Sequence, residues 1–367
     1  MRIALVGPFA PFRGGIAQFN DRLRDELLKR NHEVQAVTFS RQYPGVLFPG
    51  STQYDPSRSG DARPLVDSVN PVSWWRAGRA IRSGKPDVVI PAYWTPHLAP
   101  ALAGVLASAG APALGLIHNA RPHGGSVLSN PLGKLFINRL NGAVTLSDSV
   151  SGDLKDMGFK GVVETAFHPV YDHFGEPLAP EDARKQLGLP AAGPVLLCLG
   201  LVRRYKGFDR AVDAFGEVLA ERPDATLVIA GEAYDDSLDA AMKRLSPEAR
   251  KRVVRSPEYV PDAQVPLYYS AADLLLLPYR TATQSGALAA AAHFGLPVVV
   301  SEAPGLAAPA REYGMGLVSR DGALAGTILE ALKPERAAAL SEGSRSMARK
   351  ASWSRFAEVL ETLAQRC

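Results

Sequence analysis

Only two cysteines occur in the 367 residues, Cys198 inside an apolar run and Cys367 at the last position. Two thiols so placed cannot build a disulfide framework, and no Cys/His spacing typical of zinc accompanies them. Both are expected to be reduced thiols of a cytosolic chain, with no bound metal. Long basic runs, stacking aromatics of the RNP type and finger-like spacings are also missing, which argues against a nucleic-acid partner. No unit repeats along the chain, so a solenoid is excluded. The N-terminus passes from Met1 and Arg2 into IALVGPFAPF, an apolar stretch cut by Gly7 and Pro8 and too short for a signal peptide. One segment raises the question of a membrane span, because residues 98–117 hold 20 positions without a charge. It is rich in alanine, with Pro100 near one end and Pro112 ahead of ALGLIHN. It therefore reads as a buried helix, a turn and a buried strand.

What is present is ordinary for a globular protein: 46% hydrophobic and 21% charged residues, in a chain long enough for two domains. The net charge of +4 is unevenly spread. Through Gly175 there are 18 Lys and Arg against 13 Asp and Glu, and beyond it 23 against 24. The positive excess belongs to the first half, where it either attracts an anionic partner or is plain solvated surface.

Apolar runs alternate with amphipathic segments from end to end. In the first half the strands are expected at 2–9, 33–39, 87–94, 113–118 and 143–147. Helices are expected at 16–31, 72–83, 97–109 and 131–140, the first placing Ile16, Phe19, Leu23 and Leu27 on one face. A stretch rich in Pro, Gly and Ser, 42–71, is too long for a neutral connection and reads as a functional loop or lid. After the charged, Pro-rich segment GEPLAPEDARKQLGLPAAG the pattern restarts. Strands at 194–200, 225–230, 253–255, 273–277 and 297–301 alternate with helices at 207–220, 236–245, 262–270 and 285–294, followed by two or three C-terminal helices. This order predicts an α/β chain of two Rossmann-like parallel-sheet domains facing a cleft. The expected domains are 1–175 and 176–350, with 351–367 a last helix crossing back to the first. Loops at the carboxyl ends of the strands should carry the ligand site.

Four stretches carry chemistry. Arg13, Gly14, Gly15 and Ile16 follow the first strand and open a helix, where free amides favour phosphate; a tight turn without ligand is the plainer alternative. Phe39, Ser40 and Arg41 end the second strand without the carboxylate that an NAD site wants, which disfavours a dehydrogenase. His118 and Asn119 end a mid-domain strand, with Arg121 and His123 in the loop beyond. A histidine there serves as a hydrogen-bond or proton-transfer group, or is merely structural. His168, beside Pro169 near the domain junction, reads as positional. In LGLVRRYKG, Arg203 and Lys206 fall on a strand-end loop, with Gly207 turning into a helix; two cations so placed can neutralise a diphosphate. In LPYRTATQSGA, the residues Gln284, Ser285, Gly286 and Ala287 open an Ala-rich helix and offer unpaired amides to an anion, with Ser285 as N-cap.

The order of GGIAQ, HN, LGLVRRYKGFDRAVDAF, LVIAGE and ADLLLLPYRTATQSGALAAAAHFGLPVVVSEAPGL resembles that of glycosyltransferases of the GT-B fold, family 4, over nearly the whole chain. The resemblance implies transfer of a sugar from a nucleoside diphosphate sugar, with retention of anomeric configuration and without a required metal or other cofactor. It implies that Arg203 and Lys206 bind the donor diphosphate, that Gly14 and Gly15 lie against diphosphate and sugar, and that His118 contacts the donor sugar. The family's aspartate beside that histidine is Asn119 here. Two family glutamates, which contact the donor sugar and the ribose, fall on Ala282 and Ala290. Neither carboxylate function carries over, although Gln284 can replace part of the sugar recognition.

Breaking a glycosyl–phosphate bond builds negative charge on the leaving diphosphate, so preorganised cations and amides lower the barrier even without those glutamates. Arg203, Lys206 and His118 are the expected catalytic residues; Arg13, Asn119 and Arg121 are candidates on the acceptor side. The acceptor is expected to be a lipid-linked glycan or bacterial surface polysaccharide at the inner face of the membrane, with a soluble small molecule next. In PVSWWRAGR, aromatic and basic residues recur at helical spacing, which reads either as peripheral contact with an anionic membrane or as core tryptophans with solvated arginines. The remaining functional alternatives are a non-catalytic family member and another GT-B enzyme such as a nucleotide-sugar epimerase.

Overall fold

The structure, a computed structural model, describes residues 1–44, 52–121 and 129–367, the side chains of residues 129 and 130 excepted. His123, one of the weaker candidates, lies outside the described residues. Two compact units form. One comprises Met1–Phe167 with Trp353–Cys367, the other His168–Ser352.

In the first unit seven parallel strands pair in one sheet: β1 Arg2–Val6, β2 Glu33–Arg41, β3 Arg63–Asp67, β4 Val88–Tyr93, β5 Leu114–Ile117, β6 Gly142–Thr145 and β7 Val162–Thr165. Their order is β3-β2-β1-β4-β5-β6-β7. The central strands are apolar on both faces because helices cover both. On one face Phe19, Leu23 and Leu27 of helix Gly15–Lys29 pack with Trp353, Phe356, Leu360 and Leu363 of the last helix, Trp353–Ala364. On the other, Ala77, Ile81, Leu102, Val105 and Phe136 close the core. The last helix is clasped to this unit by polar contacts as well. Arg30 donates to both carboxylate oxygens of Glu361 at 2.6 and 2.8 Å, and His32 Nε2 lies 2.7 Å from Oε1.

In the second unit the strands are β8 Val195–Leu199, β9 Thr226–Ala230, β10 Val253–Ser256, β11 Leu274–Leu277, β12 Val298–Ser301 and β13 Gly316–Ser319. They run parallel in the order β10-β9-β8-β11-β12-β13. The units divide at 167/168 and 352/353, where the sequence places boundaries at 175/176 and 350/351. Residues 168–175 go with the second unit: Val170 N donates to Ala351 O at 3.0 Å, and His293 Nε2 meets the Gly175 carbonyl at 2.7 Å.

Of the stretch 42–71, residues 45–51 lie outside the described residues, and the described remainder is not all loop. Residues 63–67 form β3, an edge strand beside β2 that tolerates Pro64 because an edge position leaves one side of the strand unpaired. The uncharged stretch 98–117 resolves into helix Ala99–Ala109, a left-handed Gly110 and β5. Among the described residues no helix is long and apolar enough to cross a membrane.

Candidate functional site

In the second unit the loop after β8 is built by its neighbours. Val202 N donates to Glu232 O at 2.8 Å and Tyr234 N to Val202 O at 2.9 Å, which zips this loop to the one after β9. Tyr234 then stacks under Arg203, whose Cζ stands 4.7 Å from the ring centroid, so the guanidinium is oriented by a cation–π contact. Asp235 accepts from Arg204 N at 2.6 Å. A tight turn, Arg204–Lys206, brings the lysine back over the strand end. A Cβ on Gly200 would stand 2.6 Å from Lys206 Nζ, so only glycine leaves the ammonium its place. Gly207 ends the turn at φ +64, where a Cβ would meet Pro278 O at 2.1 Å.

Lys206 is half-buried, with Nζ 5.7 Å from the ring centre of Tyr279 and 6.0 Å from that of Phe208. Burial, reinforced by Arg203, lowers its pKa to about 8. Neither Lys206 nor Arg203 has a carboxylate partner among the described residues. Two adjacent cations left without counter-charge are what a dianionic ligand requires.

β11 is the neighbour of β8, so its loop emerges beside this one. Ser285 Oγ accepts from Leu288 N at 3.3 Å and caps helix Gly286–His293, whose first amides, from Gly286 and Ala287, make no intrahelical bond. Gln284 is half-buried just before it. Arg280 ties the two loops together. Its backbone N donates to Tyr205 O and its Nη1 to Arg204 O, both at 2.6 Å, and its guanidinium forks onto Asp209 at 2.9 and 2.6 Å. Burial works against ionisation of Asp209, but the Arg280 hydrogen bonds and charge outweigh it and hold the carboxyl below its usual range. Arg280, Asp209, Tyr234 and Asp235 position the loops, and the motif reading gives them no role. The only signal in the chain is that Arg280 and Asp209 both lie within the quoted motifs.

Ala282 and Ala290 are 8% and 1% exposed, and methyl groups stand where the resemblance places the family's carboxylates. A cavity of about 280 Å³ in this unit, lined by Arg210, Asp213, Glu217, Ser301, Arg320 and Asp321 among others, contains none of the loop cations or capping residues.

In the first unit the loop after β1 is held by residues 52–58. Phe12 bridges Tyr54, Arg13 N donates to Gln53 O at 2.9 Å, and Asp55 N donates to Pro11 O at 2.8 Å. Arg58 donates to Phe12 O at 3.1 Å and to Asp21 at 2.7 Å, and Asp21 also accepts from Ala10 N at 3.0 Å. Burial raises the Asp21 pKa, against the pull of Arg58. Gly14 is the N-cap and Gly15 the first residue of helix Gly15–Lys29, so helix-start amides lie where the sequence reading puts them. The Arg13 guanidinium donates to Thr52 O at 3.1 Å. His118 directly follows β5, donates its backbone N–H to Tyr93 O at 2.8 Å, and is only 2% exposed. Its ring meets Phe19, from the helix that starts at Gly15, edge-on at 5.0 Å. Asn119 is half-buried beside it. Arg121 lies 3.5 Å from Asp153 and 3.9 Å from Asp156, so it is drawn to the helix Asp148–Asp156. His168 is packed edge-on to Tyr171, and burial lowers its pKa to about 4. Among the described residues no three His, Cys, Asp or Glu side chains are grouped as metal ligands.

Comparison with known proteins meets this geometry from another side. The family model for glycosyltransferase family 4 matches residues 13–170, and that for glycosyl transferases group 1 matches 193–333. A D-inositol 3-phosphate glycosyltransferase of Thermobispora bispora is 31% identical over 193 residues, 48% of this chain and 45% of that protein. A GDP-mannose-dependent monoacylated alpha-(1-6)-phosphatidylinositol monomannoside mannosyltransferase of Corynebacterium glutamicum is 31% identical over 127 residues, 31% of this chain and 32% of its own. The matches thus span less than half the length of these relatives. Among solved structures, Anabaena HepE in complex with UDP and glucose superposes with a TM-score of 0.73 at 17% identity, covering 100% of both chains. This last likeness speaks to the fold.

Proposed function

The chain belongs to the family 4 glycosyltransferases of the GT-B fold, and from that premise we propose that it transfers a sugar from a nucleoside diphosphate sugar to a lipid-linked or surface-glycan acceptor. The observation that carries the donor half of this reading is the pair Arg203 and Lys206. They form no ion pair among the described residues, and they stand on a loop beside the amides that open helix Gly286–His293. Such a cradle binds the diphosphate in the ground state. It binds more tightly as the glycosyl–phosphate bond breaks and charge moves onto the leaving oxygen. Both the cations and the amides are preorganised, Arg203 by Tyr234 and the loop as a whole by Arg280, so little reorganisation is needed at the moment of reaction. The charge on the leaving group is met by side chains, and transfer with retention follows the family premise.

For the acceptor, support comes from the positive excess of the first half and from a relative whose name specifies an acylated phosphatidylinositol mannoside. A reaction at the inner face of a membrane fits that chemistry. A second reading, a nucleotide-binding but inactive member, is favoured by one observation, the alanines at 282 and 290. Thermal unfolding with UDP, GDP, ADP and dTDP, on the wild type and on Arg203→Ala, tests the donor site. A ligand at a hundred times its Kd adds about 2.7 kcal/mol. A shift with one nucleotide that vanishes in Arg203→Ala supports the site and names the base for a screen of its sugars. A shift unchanged in Arg203→Ala rejects the site. A nucleotide-dependent shift with no sugar transfer from any donor supports the inactive reading.

A further inference from the structure

The donor reading leaves one surface of the first unit unexplained. Helix Pro71–Ser83 is half accounted for by packing. Ala77, Gly78 and Ile81 are buried, and Trp74 donates from Nε1 to Asp67 O at 2.6 Å. Trp74 also presses so closely on helix Ala99–Ala109 that a Cβ on Gly104 would meet its ring at 2.8 Å. That contact corrects half of the pairwise reading of the tryptophans: Trp74 is packed, whereas Trp75 is 53% exposed.

Val72, 55% exposed, shares the outer face with Trp75, and Val69, 53% exposed, immediately precedes the helix. Among the described residues eight large hydrophobic side chains are exposed, and three of them fall within these seven positions. That density marks an interaction surface rather than the scattered apolar residues of any protein. The same face continues into Arg76, Arg79 and Arg82, all exposed, and none has a carboxylate partner among the described residues. Arg79 lies over the Trp75 ring at 5.1 Å.

Acids are absent from this segment and from the helix it packs on. Residues 68–86 contain no Asp or Glu, and helix Ala99–Ala109 has no charged residue at all. The flanking acids are already engaged, Asp67 by Arg41 at 2.9 and 2.6 Å and Asp87 by the Arg2 backbone at 2.7 Å.

We propose that this face, residues 69–85, docks on a bilayer rich in anionic phospholipid. Trp75 and the two valines enter the headgroup layer, while Arg76, Arg79, Arg82 and Lys85 meet lipid phosphates. An apolar end with an aromatic ring, followed by unpaired cations on one convex helix face, matches the polarity gradient and charge of such a surface and needs no pocket in the partner. The docking rests on the lipid-linked-acceptor reading only for its purpose, since binding to vesicles requires neither nucleotide nor acceptor.

Co-sedimentation with vesicles of phosphatidylglycerol and phosphatidylcholine, against phosphatidylcholine alone, tests it at low salt. The wild type is expected to partition onto the anionic vesicles only, and to be released as salt is raised. Each arginine contributes about fivefold, so Arg76→Gln, Arg79→Gln and Arg82→Gln together should weaken partition about a hundredfold. Trp75→Ser alone should weaken it severalfold at unchanged salt sensitivity. All these side chains are exposed, so far-UV circular dichroism and unfolding midpoint should stay at wild-type values and exclude misfolding as the cause. Equal binding to neutral and anionic vesicles, no binding to either, or variants that bind like the wild type would each overturn the proposal; the second would leave the face to a protein partner. Sugar transfer to a soluble acceptor, unaffected by vesicles, would refute the acceptor reading without touching the docking.

Discussion

Replacing Lys206 by methionine should make the protein more stable and worse at binding a diphosphate, because the structure holds this ammonium in a place suited to a ligand and not to itself. Its pKa is about 8 against an ordinary 10.5. Below pH 8 the lysine is charged in both folded and unfolded chains, and the folded state bears the whole cost of holding it. That gap corresponds to about 3 kcal/mol at most. Part of the side chain still reaches solvent, so about 2 kcal/mol is the working figure. Between pH 8 and 10.5 the folded chain releases the proton while the unfolded chain keeps it. The unfolded state then binds more protons, stability rises with pH, and the cost fades. Methionine has similar length and no charge, so at pH 7 it should raise the unfolding midpoint of the second unit by roughly 4–8 °C, on about 2–4 °C per kcal/mol for a unit of this size. At pH 10 most of the advantage should be gone, with about a quarter remaining. The same variant should lose about 1.5–3 kcal/mol of nucleoside diphosphate affinity, a factor of ten to a hundred or more. In the wild type that affinity should fall as pH rises through about 8, and in the variant it should be flat across that range. Calorimetric unfolding and nucleotide titration at pH 7 and 10 decide the matter. A variant that is less stable than wild type at pH 7, or equally favoured at both pH values, would refute the reasoning.

The clasp on the last helix makes a second prediction. Hydrogen bonds from Arg30, with His32 adding, outweigh burial and lower the Glu361 pKa to about 2. Its contribution, about 2–3 kcal/mol, is therefore complete above pH 4.5 and lost as pH falls through 2. Glu361→Gln should remove most of it at pH 7 and flatten acid unfolding of the first unit in that window. Gly207→Ala should cost more than about 2 kcal/mol, from the positive φ and the clash with Pro278 O, and show as a lowered unfolding midpoint. His118→Ala should cut turnover at least about tenfold while nucleotide affinity changes less than about twofold, and His118→Phe, which keeps the contact with Phe19, should restore the stability but not the turnover. Equal loss of turnover and affinity in His118→Ala would show that the histidine only props the strand end.

The strands that the sequence leaves unread share one physical property. Arg63–Asp67, Val162–Thr165 and Gly316–Ser319 are all sheet edges, β3, β7 and β13. An edge strand needs no apolar residues on both faces and tolerates proline and charge, so RPLVD and VVET lack the continuous hydrophobic run that marks RIALV or LLLL. The interior strands are read because parallel sheets buried on both sides leave no other choice of residue. The first strand, expected to reach Phe9, stops at Val6; Gly7 N still donates to Val37 O at 3.1 Å, and Pro8, which has no N–H, cannot continue the ladder.

For the site, the residues readable from the chain are those proposed to face a ligand, because phosphate demands cations and helix-start amides at strand ends. The residues that hold them are not readable. Arg280 reaches Asp209 across 71 positions, and Tyr234 reaches Arg203 across a loop on another strand. Both contacts depend on β8 lying between β9 and β11, which no local pattern announces. The same topology bears on the alanines at 282 and 290. Asp209 and Asp235 are acids whose carboxylates bond into this loop pair, and both are consumed, one by Arg280 and the other by the Arg204 amide and Ser237. With no carboxylate supplied at 282 or 290, Arg203 and Lys206 form no ion pair among the described residues. On the proposed donor role, that strengthens the hold on a departing diphosphate and removes hydrogen-bond acceptors for sugar and ribose hydroxyls. A cradle of that proposed kind is better suited to pulling on the leaving group than to reading the sugar. Restoring a glutamate by Ala282→Glu should weaken nucleoside diphosphate binding by like-charge repulsion, at least threefold in a titration at low salt. Unchanged or tighter binding would mean that position 282 lies outside the reach of the diphosphate field.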